Sequence, residues 1–235
     1  MIVLFDADSL VWSSCYGVDS FDEACGKFDQ VLMHILNEIE EVYPVEQLLV
    51  FNNSKGNFRK VLDPNYKANR NKTTPIPEYL NKLHEWVEWH YNTHCGRGVE
   101  TDDMVASYWY HLSKELGEDN VCIVSIDKDY KQFNALIYNY SYNNKGWTKI
   151  TKHEALYNFY TQMITGDAGD NVNYTSGYGK AYAKKLLKDC ATKYQFVKLT
   201  YSLFRKIYKS KARMKYIQCY HLLKLRTNEH IKKGR

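Results

Sequence analysis

Long apolar runs are missing from this sequence of 235 residues. No uncharged stretch approaches the roughly 20 residues of a membrane-spanning helix. The first residues include no basic segment and reach an acid at Asp6, which is not typical of a secretory signal. The six cysteines show no paired or CxxC spacing and so indicate neither a disulfide framework nor a zinc site. From these absences we expect a cytoplasmic monomer that does not bind membranes.

Several catalytic signatures are also missing. The sequence has no G-x-x-x-x-G-K-S/T loop and no G-x-G-x-x-G after its first predicted strand. These absences argue against P-loop nucleotide hydrolysis and against dinucleotide chemistry. No arrangement of Ser, His and Asp, or of Cys and His, suggests a protein nucleophile. The carboxylates are the class of residue that remains.

The charge is distributed very unevenly along the chain. Residues 180–235 hold 17 Lys and Arg against two acids, a net charge of +15. Residues 1–179 hold 15 basic and 25 acidic residues, a net charge of −10, so the whole chain carries +5. A solvated helical surface would explain the basic part alone. An acidic body joined to a dense basic segment favours a polyanion partner such as nucleic acid.

The periodicity predicts an α/β fold with a mostly parallel central sheet flanked by helices. Continuous apolar runs at residues 2–5, 48–51 and 121–126 are typical of buried parallel strands. Amphipathic helices are predicted between them at residues 22–41 and 104–116. Beyond these elements the strand–helix alternation stops, and the remaining pattern is helical and basic.

The densest group of acids is formed by Glu100, Asp102 and Asp103, directly before an apolar run. Acidic side chains in the first turn of a helix are favoured by the helix dipole and can cap the helix. Capping needs one or two acids, whereas a third adds like-charge repulsion that a bound cation would relieve. Taken alone, this stretch leaves capping and metal binding open.

Further acids follow strands or open turns. Asp6 and Asp8 end the first predicted strand, and since carboxyl ends of parallel strands share one sheet edge, such side chains can converge there. For Asp8, capping of a turn is the alternative. Clustered carboxylates suit Mg²⁺ or Mn²⁺, and two ions about 4 Å apart would support phosphodiester hydrolysis. The candidate acids are Asp8 and the eight acids Asp6, Glu100, Asp102, Asp103, Asp127, Asp129, Asp167 and Asp170.

A basic and aromatic segment lies between the second predicted strand and the acid-rich stretch. It contains Arg59, Tyr66, Lys67 and Arg70. Cations interleaved with aromatic rings suit contacts to phosphates and stacking on bases. A plain solvated loop has a similar composition and is the alternative.

A short glycine motif, Gly177-Tyr178-Gly179, precedes the basic helical part of the chain. Two glycines around one residue permit a tight turn whose backbone N–H groups face outward at a helix N-terminus, which makes a phosphate cradle. A purely structural turn fits the motif equally well. The positive charge that follows makes the phosphate interpretation worth keeping.

The order of these motifs resembles that of the 5′-nuclease superfamily of flap endonucleases, and within it the bacteriophage-encoded 5′→3′ exonucleases. The resemblance extends from Ile2 to about Leu187. Six motifs in the family's order form a specific signal. They are the strand-end Asp6; Phe58-Arg59 with Pro64-Asn65-Tyr66-Lys67-Ala68-Asn69-Arg70; Gly98-Val99-Glu100-Thr101-Asp102-Asp103; Ser125-Ile126-Asp127-Lys128-Asp129; Gly166-Asp167-Ala168-Gly169-Asp170-Asn171; and Gly177-Tyr178-Gly179.

This resemblance implies a metal-dependent nuclease that cleaves phosphodiester bonds at or near the 5′ ends of DNA or RNA-primed strands. It implies that the eight acids hold two metal ions, that Lys67 and Arg70 are catalytic and engage the scissile phosphate, and that Tyr66 stacks on a terminal base. A potassium ion often accompanies the helix–two-turn–helix element of the family. The expected DNA-binding residues are Arg59, Tyr66, Lys67, Arg70, Gly177, Gly179, Lys180, Lys184 and Lys185.

The resemblance also implies a division of the chain into two parts. Residues 1–165 would form the α/β nuclease core, with a helical arch at about 71–95 through or under which a 5′ single strand passes. Residues 166–235 would form a basic helical DNA-binding region with the helix–two-turn–helix element. A role in DNA replication, in the host cytoplasm if the protein is phage-encoded, is the matching expectation.

Two departures from the family pattern keep other interpretations open. Asn52-Asn53 stand where many relatives carry an Asp after the second strand, and Ala7 stands where a glycine is usual. The missing carboxylate motivates a non-catalytic, structure-specific DNA-binding relative as the rival hypothesis. An RNA-cleaving nuclease of the related PIN-like fold shares the acids, but it does not predict the Tyr66-to-Arg70 segment or the glycine motif.

Overall fold

A five-stranded sheet forms the centre of the computed structural model, which describes residues 1–70 and 75–227. The strand order across the sheet is β2-β1-β3-β4-β5, with β5 antiparallel to β4 and the other pairs parallel. The predicted α/β class with a mostly parallel sheet is confirmed. The strands are β1 (Ile2–Asp6), β2 (Gln47–Phe51), β3 (Val121–Val124), β4 (Leu136–Asn139) and β5 (Gly146–Lys149).

Helices flank the sheet and continue beyond it. The amphipathic patterns predicted the long ones, whereas α1 and α3 are short and were not predicted. The helices are α1 (Asp8–Ser14), α2 (Phe21–Glu40), α3 (Phe58–Leu62), α4 (Leu80–Tyr91), α5 (Thr101–Leu116), α6 (Lys152–Thr165), α7 (Lys180–Leu187), α8 (Lys193–Tyr208) and α9 (Ala212–Leu223). Short 3₁₀ turns occur at Glu118–Asn120, Lys128–Gln132 and Lys209–Lys211.

The two faces of β1 are buried against different helices. Successive side chains of a strand point to opposite faces, so Val3 and Phe5 join the cluster formed with α1, α2 and α4. Leu4 instead joins the cluster formed with α5, which includes Val105 and Trp109. All three strand residues have no exposed surface. Apolar side chains therefore cover both faces of β1, and its carboxyl end lies directly above the hydrophobic core.

The helices α6 to α9 pack on one another around a third apolar cluster. Phe159 and Met163 of α6 lie in the same cluster as Phe196 and Phe204 of α8 and Leu222 of α9. We expected a domain boundary at residue 165, the end of α6. A boundary at that residue would divide α6 from α7, α8 and α9, with which it shares an apolar core. The basic helical region has its own packed interior, with α6 joining it to the sheet.

The predicted arch at about 71–95 overlaps α4, and its residues 71–74 lie outside the described residues. Leu83 and Val87 of α4 are fully buried in the cluster with α1 and α2. Helix α4 is thus part of the layer that covers the sheet, which corrects the predicted arch over Leu80–Tyr91. Within the described residues, no helix combines the length and the apolar character needed to cross a membrane.

Candidate active site

Asp6, the last residue of β1, lies at the centre of a group of carboxylates. Its Oδ2 accepts hydrogen bonds from the Ser125 hydroxyl at 3.2 Å and the Tyr130 hydroxyl at 2.9 Å. Burial, reinforced by repulsion from Asp8, raises the pKa of Asp6 to about 7. Protein groups alone therefore do not stabilise its negative charge at neutral pH.

The acids after β3 lie in the same environment. Burial raises the pKa of Asp127, and burial together with repulsion from Asp127 raises the pKa of Asp129 to about 7. Asp127 is close enough to Asp6 to raise the pKa of that residue too. Negative charge is thus concentrated where β1 and β3 end, as the strand-end argument predicts.

Asp102, in the first turn of α5, adds to this charge. Its Oδ1 accepts the Asp103 backbone N–H at 2.7 Å, and in the described part of the chain no cation forms an ion pair with it. Burial and repulsion from Asp103 and Glu100 raise its pKa well above the ordinary value. A divalent cation would relieve this repulsion, and so the donor set fits a hard metal ion.

Asp103 has a different environment although it is the next residue. Its two oxygens accept one hydrogen bond each, both at 2.7 Å, from the two terminal nitrogens of Arg59. Neither side chain is more than 1% exposed. Asp103 also caps its own helix by accepting the Glu100 N–H at 3.2 Å. Its carboxylate charge is therefore already compensated, although it lies within 4.8 Å of Glu100 and Asp102 ligand atoms.

This pair corrects the DNA-binding role expected for Arg59. The guanidinium is buried, and it also donates to the backbone carbonyls of Leu222 at 3.0 Å and Lys224 at 3.1 Å at the end of α9. A residue enclosed in this way cannot reach a phosphate backbone. Arg59 instead joins α3, the start of α5 and the end of α9.

The stacking role expected for Tyr66 is also wrong for this structure. Tyr66 is only 3% exposed, and its hydroxyl donates to Glu100 at 2.9 Å and to Asp170 at 2.6 Å. A buried ring offers no face to a nucleotide base. The phenol instead links two acids that are 70 residues apart in the chain.

Lys67 and Arg70, which the sequence interpretation made catalytic, lie at the rim of the cluster. Lys67 donates to Glu100 and lies 3.8 Å from Asp170, and Arg70 donates to Asp170 at 2.8 Å. The Lys67 side chain is 15% exposed and that of Arg70 is 60% exposed. Arg70 is thus open to solvent next to the carboxylates, whereas Lys67 is mostly covered.

Asp167 and Asp170 complete the group from the turn after α6. The Asp167 backbone pairs with Val172, and its Oδ1 accepts the N–H groups of Gly169 and Asp170. Burial would raise the pKa of Asp167, but the ammonium of Lys128 at 2.7 Å lowers it below the ordinary value. Sequence reasoning did not assign a role to Lys128.

Asp8 and Asn52 occupy the neighbouring ends of β1 and β2. Asp8 opens α1 and accepts hydrogen bonds from the Asn53 N–H at 2.8 Å and the Thr101 hydroxyl at 2.6 Å. Asn52 is fully buried, and its amide donates to the His84 carbonyl at 2.8 Å and contacts His84 Nδ1 at 2.6 Å. Asn52 therefore ties α4 to this edge of the sheet.

Ser125, Tyr130 and Gln162 support the acids, and they too were not predicted. Ser125 and Tyr130 donate to Asp6, while Gln162 donates to Asp129 at 2.9 Å and to Asp167 at 3.1 Å. Neutral donors that fix carboxylates are common around metal sites. Tyr130 and Gln162 do not stand out in sequence, because an isolated Tyr or Gln in a helical pattern carries no site signal.

The glycine motif lies at the start of α7, whose first residue, Lys180, lines one cavity together with Asp129. Gly177 has a φ of +89°, which disfavours other residues, and Gly179 is the N-cap of α7. No atom lies within 4 Å of a Cβ built on either glycine, so their backbone is open to solvent. The exposed lysines of this helix are Lys180, Lys184 and Lys185.

Comparison with known proteins gives the same family as the motifs. A family model described as the 5′-3′ exonuclease N-terminal, resolvase-like domain matches residues 1–160, more than half of the chain. The chain belongs to this family. It is a 5′ nuclease, a metal-binding hydrolase of phosphodiester bonds.

Two curated relatives support this assignment by sequence. A 5′-3′ exonuclease of Buchnera aphidicola (subsp. Schizaphis graminum) is 29% identical over 224 residues, which cover 88% of this chain and 75% of that protein. Flap endonuclease Xni of Shewanella baltica is 30% identical over 156 residues, which cover 62% of this chain and 58% of that protein.

Solved structures support the fold. The 5′-exonuclease of T5 with zinc ions bound has a TM-score of 0.61 at 15% identity, over 95% of this chain and 99% of that one. The bacteriophage T5 flap endonuclease in complex with DNA and metal ions also scores 0.61 at 15% identity, over 94% and 98%. The catalytic core of Rad2 with DNA substrate scores 0.51 at 12% identity, over 93% and 73%.

Proposed function

We propose that this nuclease hydrolyses DNA at or near 5′ ends in a Mg²⁺-dependent reaction. The observation that carries the proposal is the convergence of acids from four chain segments on one sheet edge, with Lys67 and Arg70 at its rim. Several of these acids have raised pKa values, the electrostatic condition that a divalent cation relieves. Two relatives are named 5′-3′ exonuclease and flap endonuclease, and these names agree with the proposed substrate class.

Seven of the eight acids are available to hold metal in this proposal. Asp103 is set apart because it is fully buried and Arg59 holds both of its oxygens. Glu100 also accepts hydrogen bonds from Arg59, Tyr66 and Lys67, but it is partly exposed, and in this proposal metal replaces some of these donors. Bound divalent ions would supply an activated water and neutralise charge on the leaving oxygen. The residues proposed as ligands are Asp6, Glu100, Asp102, Asp127, Asp129, Asp167 and Asp170.

Lys67 and Arg70 are proposed to bind the scissile phosphate. Both are fixed by carboxylates, Lys67 by Glu100 and Arg70 by Asp170, so their positions are set before a substrate arrives. Cations held in this way stabilise negative charge that develops on a phosphate without reorganising. Tyr66, with hydrogen bonds to the same two acids, acts as a positioning residue for them.

Contacts to the duplex are proposed for the start of α7. Gly177 and Gly179 leave backbone N–H groups accessible, and three exposed lysines follow within one helix. A phosphate group is favoured at such an N-terminus. Bound K⁺ at this turn, the arch before Leu80 and a role in DNA replication belong to the same proposal.

The proposal is tested by cleavage of a 5′-labelled duplex with Mg²⁺ and with EDTA. We expect product only with Mg²⁺ and a loss of at least 10²-fold in Asp127→Asn. Asp119→Asn is the matched control, because Asp119 is 90% exposed and, among the described residues, forms its ion pair with Lys149. Metal-independent product, or full activity in Asp127→Asn, would contradict the proposal.

A panel of flap, nicked, blunt and RNA–DNA hybrid substrates would then define the preference between exonuclease and flap endonuclease activity. The same panel tests the non-catalytic alternative, which Asn52 motivates. Binding without cleavage on every substrate, unaffected by Mg²⁺, would favour that alternative. The retained acids argue against it, because uncompensated carboxylates repel a phosphate backbone unless they hold metal.

A further inference from the structure

A second cluster of cations lies on the far side of Phe159, away from the candidate active site. It lines an open cavity of about 260 Å³ between α6, α8 and α9. Three lysines contribute to its wall: Lys152 and Lys193, the first residues of α6 and α8, and Lys224, which follows α9. Among the described residues that line this cavity there is no carboxylate.

Lys224 is held in this cavity without a counterion among the described residues. Its ammonium lies 4.5 Å from the centre of the Phe133 ring and 5.1 Å from that of Phe159. Ring faces attract a cation, but much less strongly than an anion does when both are removed from water. Burial and repulsion from Lys193 lower the pKa of Lys224 to about 7.

Asn134 adds a neutral donor to the same cavity. Its side-chain Nδ2 is buried and makes no hydrogen bond within the described structure. Buried donors without an acceptor are rare, because each loses its bond to water. Lys224 and Asn134 therefore share one deficiency, because each is a donor without an acceptor among the described residues. Both line this cavity and also a neighbouring one that Glu118 lines.

The missing partner must be an anion with several acceptor oxygens. A chloride ion would satisfy charge but not the separated donors, whereas a phosphate offers an oxygen to each. The starts of α6 and α8 add the positive ends of two helix dipoles, although Thr151 and Thr192 cap those ends. The volume is several times that of one water, about 30 Å³, so a group larger than a simple ion can enter.

We propose that this cavity binds a phosphate group, carried by a free nucleotide or by a nucleic-acid strand. Lys224 and Asn134 contact its oxygens, while Lys193 and Lys152 neutralise its charge from the rim. Lys152 also lies 3.5 Å from Glu118, but that pair is exposed and therefore weak. None of the eight candidate metal ligands lines the cavity, so binding there uses none of them, although Gln132 and Phe159 also line the cavity that contains Asp129.

The test is calorimetric titration of the whole protein with inorganic phosphate in EDTA, which removes metal-mediated binding at the carboxylates. We expect saturable binding that Lys224→Met weakens at least tenfold. Lys193→Met, a surface substitution at the first residue of α8, should weaken it about threefold. Lys27→Met on α2 is the control that removes the same charge far from the cavity, and it should bind like the unaltered protein.

Titrations with 5′-dAMP and with a dT oligonucleotide identify the source of the phosphate. The ligand that gains affinity over inorganic phosphate, and loses that gain in Lys224→Met, is the natural class. The proposal is overturned if no phosphate binds, or if Lys224→Met and Lys193→Met both bind it as tightly as Lys27→Met does. Far-ultraviolet circular dichroism of each variant shows that it is folded, and nuclease activity is measured separately.

Discussion

Asp102 and Asp103 are neighbours in the chain, yet they lie in opposite electrostatic environments. Asp103 is paired with Arg59 through two hydrogen bonds at 2.7 Å, and its charge is satisfied inside the fold. Asp102 has no such cation within the described structure, and its pKa is raised well above the ordinary value by burial and by neighbouring acids. Asp103 therefore stabilises the fold, whereas Asp102 is the acid that we propose binds a metal ion.

The comparison shows why a cluster of acids is not yet a metal site. By their number and by the distances between them, Glu100, Asp102 and Asp103 would all be assigned to one metal site. The contacts divide them, because a guanidinium that holds both oxygens of a carboxylate leaves little for a cation. A substitution can change either the acid that a buried cation already neutralises or the acids that are proposed to bind metal, and the largest effect is expected for the first.

Replacing Arg59 with Met should have the largest effect on stability. It leaves Asp103 as a buried, unpaired charge and removes donors from the carbonyls of Leu222 and Lys224. We expect a loss of about 3–5 kcal/mol in the free energy of unfolding, measured with urea. Lys60→Met, one residue along and exposed, is the control. A loss below about 1 kcal/mol would show that the pair does not hold the fold.

Replacing Lys67 with Ala should affect catalysis instead. Lys67 pairs with Glu100 at the rim and is not enclosed as Arg59 is. We expect the cleavage rate at saturating Mg²⁺ to fall by about 10²- to 10³-fold, because a donor to developing charge is lost. Unfolding in urea should change much less than in Arg59→Met. Lys145→Ala, at the far edge of the sheet, is the control variant. An unchanged rate would remove Lys67 from the site.

We expect the pH dependence of metal binding to reflect the ionisation of the acids whose pKa values are raised. Asp6 and Asp129 each have a pKa of about 7 when folded, against 3.8 ordinarily. A folded pKa above the unfolded one means that the stability which these groups contribute is complete below pH 4. It is lost as the pH rises towards 7.

Mg²⁺ should reverse that loss because it binds the ionised forms. We expect the stabilisation by Mg²⁺, measured as the difference in unfolding free energy with and without EDTA, to grow by about 1–2 kcal/mol from pH 5 to pH 7. Asp129→Asn should flatten this slope. A difference that does not vary with pH would mean that these acids do not bind the ion.

Replacing Asn52 with Asp should have the smallest effect. The substitution removes the donor to the His84 carbonyl and places a carboxylate against it, at a fully buried position. We expect a loss of about 1–3 kcal/mol in the free energy of unfolding, less than in Arg59→Met because His84 Nδ1, 2.6 Å from the Asn52 Oδ1, can donate to the new carboxylate. Asn53→Asp, at the more exposed neighbour, is the matched control. Equal or greater stability in Asn52→Asp would show that the tie to α4 contributes nothing.

Much of the site could be predicted because its signals are local. Asp6 and Asp127 follow apolar runs, and a parallel sheet brings such strand ends together whatever the intervening chain does. The same logic predicted the sheet and its long helices. Helix α1 was missed because its polar start at Asp8 looks like a turn, and α3 because five residues show no period.

The contacts that give each acid its role could not be predicted, since they join distant parts of the chain. Arg59 meets Asp103 across 44 residues and the end of α9 across more than 160. Tyr66 is buried because its hydroxyl reaches Asp170, 104 residues away. The composition of this basic and aromatic segment is typical of a nucleic-acid contact whether its side chains are buried or exposed. Only the packing shows that Arg59 and Tyr66 are buried and that Arg70 is exposed.

The most direct test of this division compares Asp102→Asn with Asp103→Asn by urea unfolding with and without Mg²⁺. We predict that Asp102→Asn keeps or gains stability in EDTA, because repulsion is removed, and loses most of the Mg²⁺ stabilisation and the cleavage. Asp103→Asn should lose about 3 kcal/mol or more in EDTA, because the buried guanidinium of Arg59 loses its bidentate partner and keeps only Glu100, at 2.9 Å, as an anion. Equal destabilisation of the two variants in EDTA, or an undiminished Mg²⁺ response in Asp102→Asn, would contradict the account.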